Sequence, residues 1–178
     1  INDGEIHIFA TDDCINTTFG FGGEEDDGSL LKVMGGYIAV STSGGDGLDG
    51  NGDIAFEGGT MIVHGPPQQP EVGMDYNGDC EMNAGFLVIS AVNSMMIQSP
   101  GNMSDQYSVR VTSGQMLSSG TLFHIEDASG NSILTFQPER NYSSIIFSSS
   151  DLQTGVNYRI YTGGTCTGTE QDGLYTGG

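Results

Sequence analysis

The stretch GGYIAVSTSGGDGLDGNGDIAFEGGTMIVHG, residues 35–65, contains one pattern twice: a glycine, a short alternating apolar strand, and an Asp-rich turn before the next glycine. Gly36, Gly59 and Gly85 head three copies, at steps of 23 and 26 residues. The strands that follow are Tyr37–Val40, Thr60–Val63 and Phe86–Ile89. The turns that precede Gly59 and Gly85 are Asp49–Asp53 and Asp75–Asp79. A period of this length marks a solenoid, in which each repeat buries its apolar face by stacking on the next.

Aligning on the glycines, with Gly4 as a fourth equivalent, places Ile6, Ile38, Met61 and Leu87 in one column and Ile8, Val40, Val63 and Ile89 in another. Before the glycines, Leu31, Ile54 and Cys80 align, as do Val33, Phe56 and Met82; at the turns, Ile15, Leu48 and Met74 align. Side chains alternate along a strand, so columns that stay apolar share one interior. The reading is an all-β chain, with a parallel β-helix of about four coils over residues 1–104. Cys80 is then a buried free thiol.

Two segments leave the pattern. Phe19–Gly28 is an acidic, glycine-rich insertion in the first repeat, and His64–Pro70 is a proline-rich excursion that a paired strand cannot hold. From about residue 103 the periodicity changes. Gln106–Thr112, Thr121–Glu126, Ser132–Phe136, Ser143–Phe147 and Asn157–Tyr161 alternate polar and apolar residues, and Asp127–Asn131 reads as a hairpin turn. Residues 105–178 are expected to form an antiparallel β cap on the last coil, whose backbone would otherwise be unpaired. At the other end Ile1 aligns with Val33 and Phe56, so the first repeat starts partway through. Either coils precede it or another chain covers that edge, which makes self-association through the N-terminal edge a second expectation.

The chain has 178 residues, 23 Asp or Glu against 4 Lys or Arg, and a net charge of -19. Such a surface repels nucleic acid and anionic membranes and attracts divalent cations. No apolar run reaches the ~18 residues of a membrane span, so no membrane insertion is expected. Three cysteines without CxxC spacing specify neither a zinc site nor a disulfide framework.

The repeat also stacks acidic residues. Asn16, Asp49 and Asp75 share one column, Asp13 and Asp46 a second, Asp53 and Asp79 a third. Like charges at a strand spacing of about 4.8 Å repel unless a cation lies between them or a proton binds. Ca²⁺ takes about 6–8 oxygens, which adjacent turns and their carbonyls can supply. Asp13, Asn16, Asp46, Asp49, Asp75 and Asp79 are therefore the expected calcium ligands, although Asp and Asn are also common turn residues. Two familiar motifs do not apply. Gly44–Asp49 matches the calcium nonapeptide GGxGxD but occurs once, whereas that motif recurs about every nine residues. An EF-hand loop starting at Asp49 would put Ile54 where glycine is needed and Thr60 at the bidentate glutamate position.

The segments GGYIAV, GGDGLDGNGDI, GGTMIVHGP, MDYNGD, TLFHIEDASGNSILTF and DGLYTGG together resemble a bacterial, clostridial-type extracellular family of carbohydrate-binding, polysaccharide-lyase-like β-helix proteins. The resemblance runs from Gly4 to Gly178. It implies a right-handed parallel β-helix with bound calcium that binds cell-wall polysaccharide, cellulose or pectic acid, without catalysis, and that usually carries more coils upstream. Lyase chemistry needs a basic residue near the calcium. Lys32 is the sole Lys or Arg before residue 105 and aligns with the outward Ala55 and Glu81. No enzyme is expected. The outward strip holding Tyr37 and Phe86 is either a sugar-stacking surface or a seat for the cap. Tyr76, inside an Asp turn, joins Tyr37 and Phe86 as a carbohydrate-binding candidate. A structural subunit that stacks end to end into extracellular fibres is the alternative reading, with a divergent lyase behind it.

Overall fold

The glycine-headed strands pair in parallel. The computed structural model describes residues 1–23 and 25–178; it is all-β, with no helix among the described residues. Glu24, inside the expected insertion, lies outside the described residues. Strands β1 (Glu5–Ala10), β4 (Tyr37–Thr42), β6 (Asp53–His64) and β8 (Cys80–Ala91) lie side by side in that order, all parallel. Strand β3 (Leu30–Val33) pairs with the first part of β6. Strands β2 (Ile15–Thr17), β5 (Leu48–Gly50) and β7 (Met74–Tyr76) make a second, three-stranded parallel sheet.

The registers reproduce the sequence columns. Ile6 faces Ile38, Ile38 faces Met61, and Met61 faces Leu87; Ile54 faces Cys80, Phe56 faces Met82, and Ile15, Leu48 and Met74 align. Together they form one core cluster, with Ile54, Leu48, Met74 and Leu87 fully buried. Each such side chain contributes about 1.5–3 kcal/mol by leaving water. Cys80 lies in this core as a free thiol, and burial pushes it up to about 12. The heading glycines are required for two reasons. Gly36, Gly59 and Gly85 hold φ of +91°, +79° and +102°. A Cβ on Gly59 would also sit 2.7 Å from the carbonyl carbon of Gly35.

The second half departs from a simple end cap. Strand β12 (Tyr142–Ser148) pairs antiparallel with β8 and so covers the free edge of the parallel sheet; β9 (Ser108–Leu117) then pairs with β12. The other strands do not sit at that end. β13 (Arg159–Thr162), β10 (Phe123–Glu126), β11 (Ser132–Phe136), β15 (Leu174–Thr176) and β14 (Thr169–Gln171) form, in that order, a five-stranded antiparallel sheet. Its Phe123, Ile125, Leu134 and Phe136 pack on Ala39, Ile62 and Val88, the outward side of the parallel sheet, in a second core cluster. The physical reason is area: the outward columns are apolar over three strands, too large a face to leave in water.

Strand β12 serves both cores. Its Ile146 joins the first and its Ile145 and Phe147 the second. The Asp127–Asn131 hairpin forms as read, with the Asp127 carboxylate accepting the N–H groups of Ser129 and Asn131. Residues 65–73 leave the sheet, as the prolines require, but His64, expected in the excursion, is the last residue of β6 and pairs with Ser41 and Ser90.

Candidate functional site

The second parallel sheet aligns Asp49 on β5 with Asp75 on β7, and the turn entering β5 supplies Asp46. One carboxylate oxygen from each lies within 4.8 Å of the others. Asp46 is the buried member, 8% exposed. Its Oδ1 accepts the Val72 N–H at 2.5 Å, and its own N–H donates to Asp13 Oδ1 at 2.8 Å. Burial pushes the Asp46 carboxyl up to about 7; the charges of Asp75, Glu71 and Asp13 push the same way, against the Val72 hydrogen bond. The group is thus a concentration of negative charge that a proton or a cation would relieve. Its donors are all oxygens, which fits a hard cation such as Ca²⁺ better than a thiophilic metal.

The other expected ligands fall at graded distances from this group. Asn16 Nδ2 donates to Asp13 Oδ2 at 3.2 Å and also to Asp49, so Asp13 and Asn16 join the group through hydrogen bonds. Asp79 does not join it. Its N–H donates to Asp53 Oδ1 at 2.8 Å, across the next turn, so these two residues form a separate acidic column. The Val72 contact was not legible beforehand, because nothing in a proline-rich excursion specifies where it returns.

The three aromatic candidates are engaged by the protein itself. Tyr37 and Phe86 share an outward column with Thr60 and are half-buried against the second core. Tyr37 donates its hydroxyl to Asp172 Oδ2 at 3.0 Å, and Phe86 meets Phe147 edge-on with ring centroids 5.5 Å apart. The strip seats the antiparallel sheet, and its Thr60 and Phe86 also line a cavity of about 500 Å³ together with Leu134 and Tyr175. Tyr76 donates to the Ser99 carbonyl at 2.8 Å and exchanges two hydrogen bonds with Gln98, which ties residues 98 and 99 to β7.

Each of the three histidines is held by hydrogen-bonding partners. His64 is buried. Its Nδ1 accepts the Glu139 N–H at 3.1 Å and its Nε2–H donates to the Asp172 carbonyl at 3.0 Å, fixing one neutral tautomer that burial favours. His7 has a carboxylate at each nitrogen: Glu5 at 3.1 Å and Asp172 at 3.3 Å. Both nitrogens can donate only in the imidazolium, and the Glu5 hydrogen bond, then the Asp172 and Glu5 charges, raise its pKa. His124 Nδ1 lies 2.7 Å from Thr135 Oγ1 and Nε2 lies 3.3 Å from Glu126. That trio was missed; the alternation in HIE and in ILTF held the signal, since His124, Glu126 and Thr135 share the face opposite Ile125 and Leu134.

No helix among the described residues is long and apolar enough to cross a membrane. Comparisons with protein-family models, curated proteins and solved structures find no match to this chain.

Proposed function

We propose that the chain is an extracellular, bacterial calcium-binding module that holds cell-wall polysaccharide without cleaving it. In this reading its parallel ladders are the coils of a right-handed parallel β-helix. The registers support the winding: three ladders repeat the same columns through successive copies of one glycine-headed unit. The observation that carries the calcium reading is the Asp46–Asp49–Asp75 group, with a buried carboxylate at its centre. Asp46, Asp49 and Asp75 would hold the ion, with Asp13 and Asn16 positioning them. The bound ion would supply charge neutralisation between stacked turns. The choice of cellulose or pectic acid rests on the family resemblance.

Thermal unfolding in Ca²⁺ and in chelator, for the wild type and for Asp46→Ala with Asp49→Ala, tests the metal. The wild type is expected to melt higher in Ca²⁺ and the variant equally in both; equal wild-type values would end the calcium reading. Retention on insoluble cellulose and on pectic acid, each with and without Ca²⁺, tests the polysaccharide.

A second reading, end-to-end stacking into fibres, is favoured by one observation. Strands β1 and β2 are edge strands, and Ile6, Ile8 and Ile15 on them are only partly buried. Sedimentation over a concentration series separates the two: fibres grow with concentration, and a monomeric binding module does not.

A further inference from the structure

The antiparallel sheet has a topological peculiarity. β13 lies at one edge of it and β14 at the other, yet these two strands are consecutive in the chain. β13 ends at Thr162 beside Phe123, and β14 begins at Thr169 beside Thr176, with β10, β11 and β15 between them. Residues 163–168 must therefore cross the sheet. The inner face is closed by the packing of Phe123, Ile125, Leu134 and Phe136 on the parallel sheet. The segment Gly163–Gly164–Thr165–Cys166–Thr167 accordingly passes over the outer face as a strap.

Between strap and sheet lies a cavity of about 270 Å³. Its floor is a row set by register: Tyr161 on β13 faces His124 on β10, and His124 faces Thr135 on β11. Its far wall includes Thr165, Cys166, Thr167 and Gly178. Tyr161 is half-exposed and its ring lies tilted to His124, centroids 6.1 Å apart. Neither Lys nor Arg lines the cavity, and its only imidazole is held by Thr135 and Glu126.

We infer that this strapped cavity, between Gly163–Thr167 and the Tyr161–His124–Thr135 row, binds one ring of a neutral polysaccharide. The inference rests on the polysaccharide reading above and gives it a location apart from the Tyr37–Phe86 strip. Size supports it: ligand pockets for larger molecules run from about 300 Å³ upward, so this one suits a single ring. Chemistry supports it as well. A sugar presents an apolar C–H face and a rim of hydroxyls; Tyr161 offers an aromatic face, and Thr165 and Thr167 offer hydroxyls that donate and accept. Charge selects among sugars. With Glu126 beside the floor and neither Lys nor Arg in the lining, a uronate carboxylate is disfavoured relative to a neutral hexose.

The experiment is an NMR titration of the full chain, in Ca²⁺, with a soluble tetramer of β-linked glucose and, separately, a tetramer of galacturonic acid. It is run alongside retention on insoluble cellulose and pectic acid. Expected are shifts of Tyr161, His124 and Thr165 with the glucose tetramer at least tenfold tighter than with the uronate, affinity lowered at least tenfold in Tyr161→Ala, and affinity kept in Tyr161→Trp. Retention on either polysaccharide with these residues unmoved, or with Tyr161→Ala binding as tightly as wild type, overturns this site and leaves the polysaccharide reading standing. Tighter binding of the uronate overturns the choice of sugar. No shift and no retention with any sugar overturns both.

Discussion

The parallel half and the antiparallel half of this molecule solve the same burial problem with different bookkeeping. In the parallel half the strand ladders join mostly equivalent positions of neighbouring repeats, such as Ile38 with Met61 and Asp49 with Asp75. In the antiparallel half partners have no equivalence. β12 inserts between β8 and β9, and a strap links the two edge strands of one sheet. Repetition puts like residues side by side. That suits apolar columns, and it concentrates charge wherever the repeated residue is acidic. The irregular half is free to assemble unlike groups, and its His124–Thr135–Glu126 trio is a case in point.

The contrast can be broken at the seam. Ile62 is fully buried between the halves. Ile62→Ala should cost about 2–5 kcal/mol and lower the melting of both halves together. Calorimetry should show one transition; two resolved transitions would mean the halves fold apart. A smaller loss is expected within the repeat. Gly59→Ala places a side chain at φ +79° and against Gly35, and should cost more than the ~1 kcal/mol of an unstrained glycine replacement, read as a lowered denaturation midpoint. Gly130, with φ +86° but open space around it, should tolerate alanine better, which sharpens the difference between stacked and unstacked turns.

Smaller again, and opposite in sign, is Asp46→Asn. It keeps an acceptor for the Val72 N–H and removes a buried charge, so in chelator at pH 8 it should melt a few degrees above wild type, about 1 kcal/mol at 2–4 °C each. In Ca²⁺ the wild type should regain the lead. The least effect on stability is expected at His7, where β1 meets the Asp172 turn. A raised histidine pKa stabilises the fold below the unfolded value, and that contribution is lost as pH climbs through the folded value. Amide exchange of β1 should therefore quicken as pH rises past the ordinary histidine range, after correction for intrinsic rates. In His7→Gln this pH dependence should vanish.

The two halves also differed in how much their sequence disclosed. Columns through Ile38, Met61 and Leu87 were legible because parallel stacking turns a period into a register. The Asp46–Asp49–Asp75 grouping was legible for the same reason, whereas Asp79 was grouped by spacing and lies a turn away. The fate of β12 was not. Its Ile145, Ile146 and Phe147 form an unbroken apolar run, the mark of a strand buried on both faces, and reading it as simple alternation hid its place between β8 and β9. The β14–β15 hairpin was carried only by Asp172–Gly173, with φ of +48° and +78°. That dipeptide is a turn signal, but three-residue strands offer too little periodicity to support it.

The insertion of β12 also has a consequence on the ribosome. Strand β8 ends at Ala91 and its neighbour begins at Tyr142, so the edge of the growing stack emerges some 50 residues before the strand that covers it. At about 5–20 residues per second that edge waits for seconds with its backbone unpaired. During this interval the nascent chain can pair with any strand that reaches it. The first strand to emerge in that interval is the chain's own β9, which in the finished fold pairs with β12 instead.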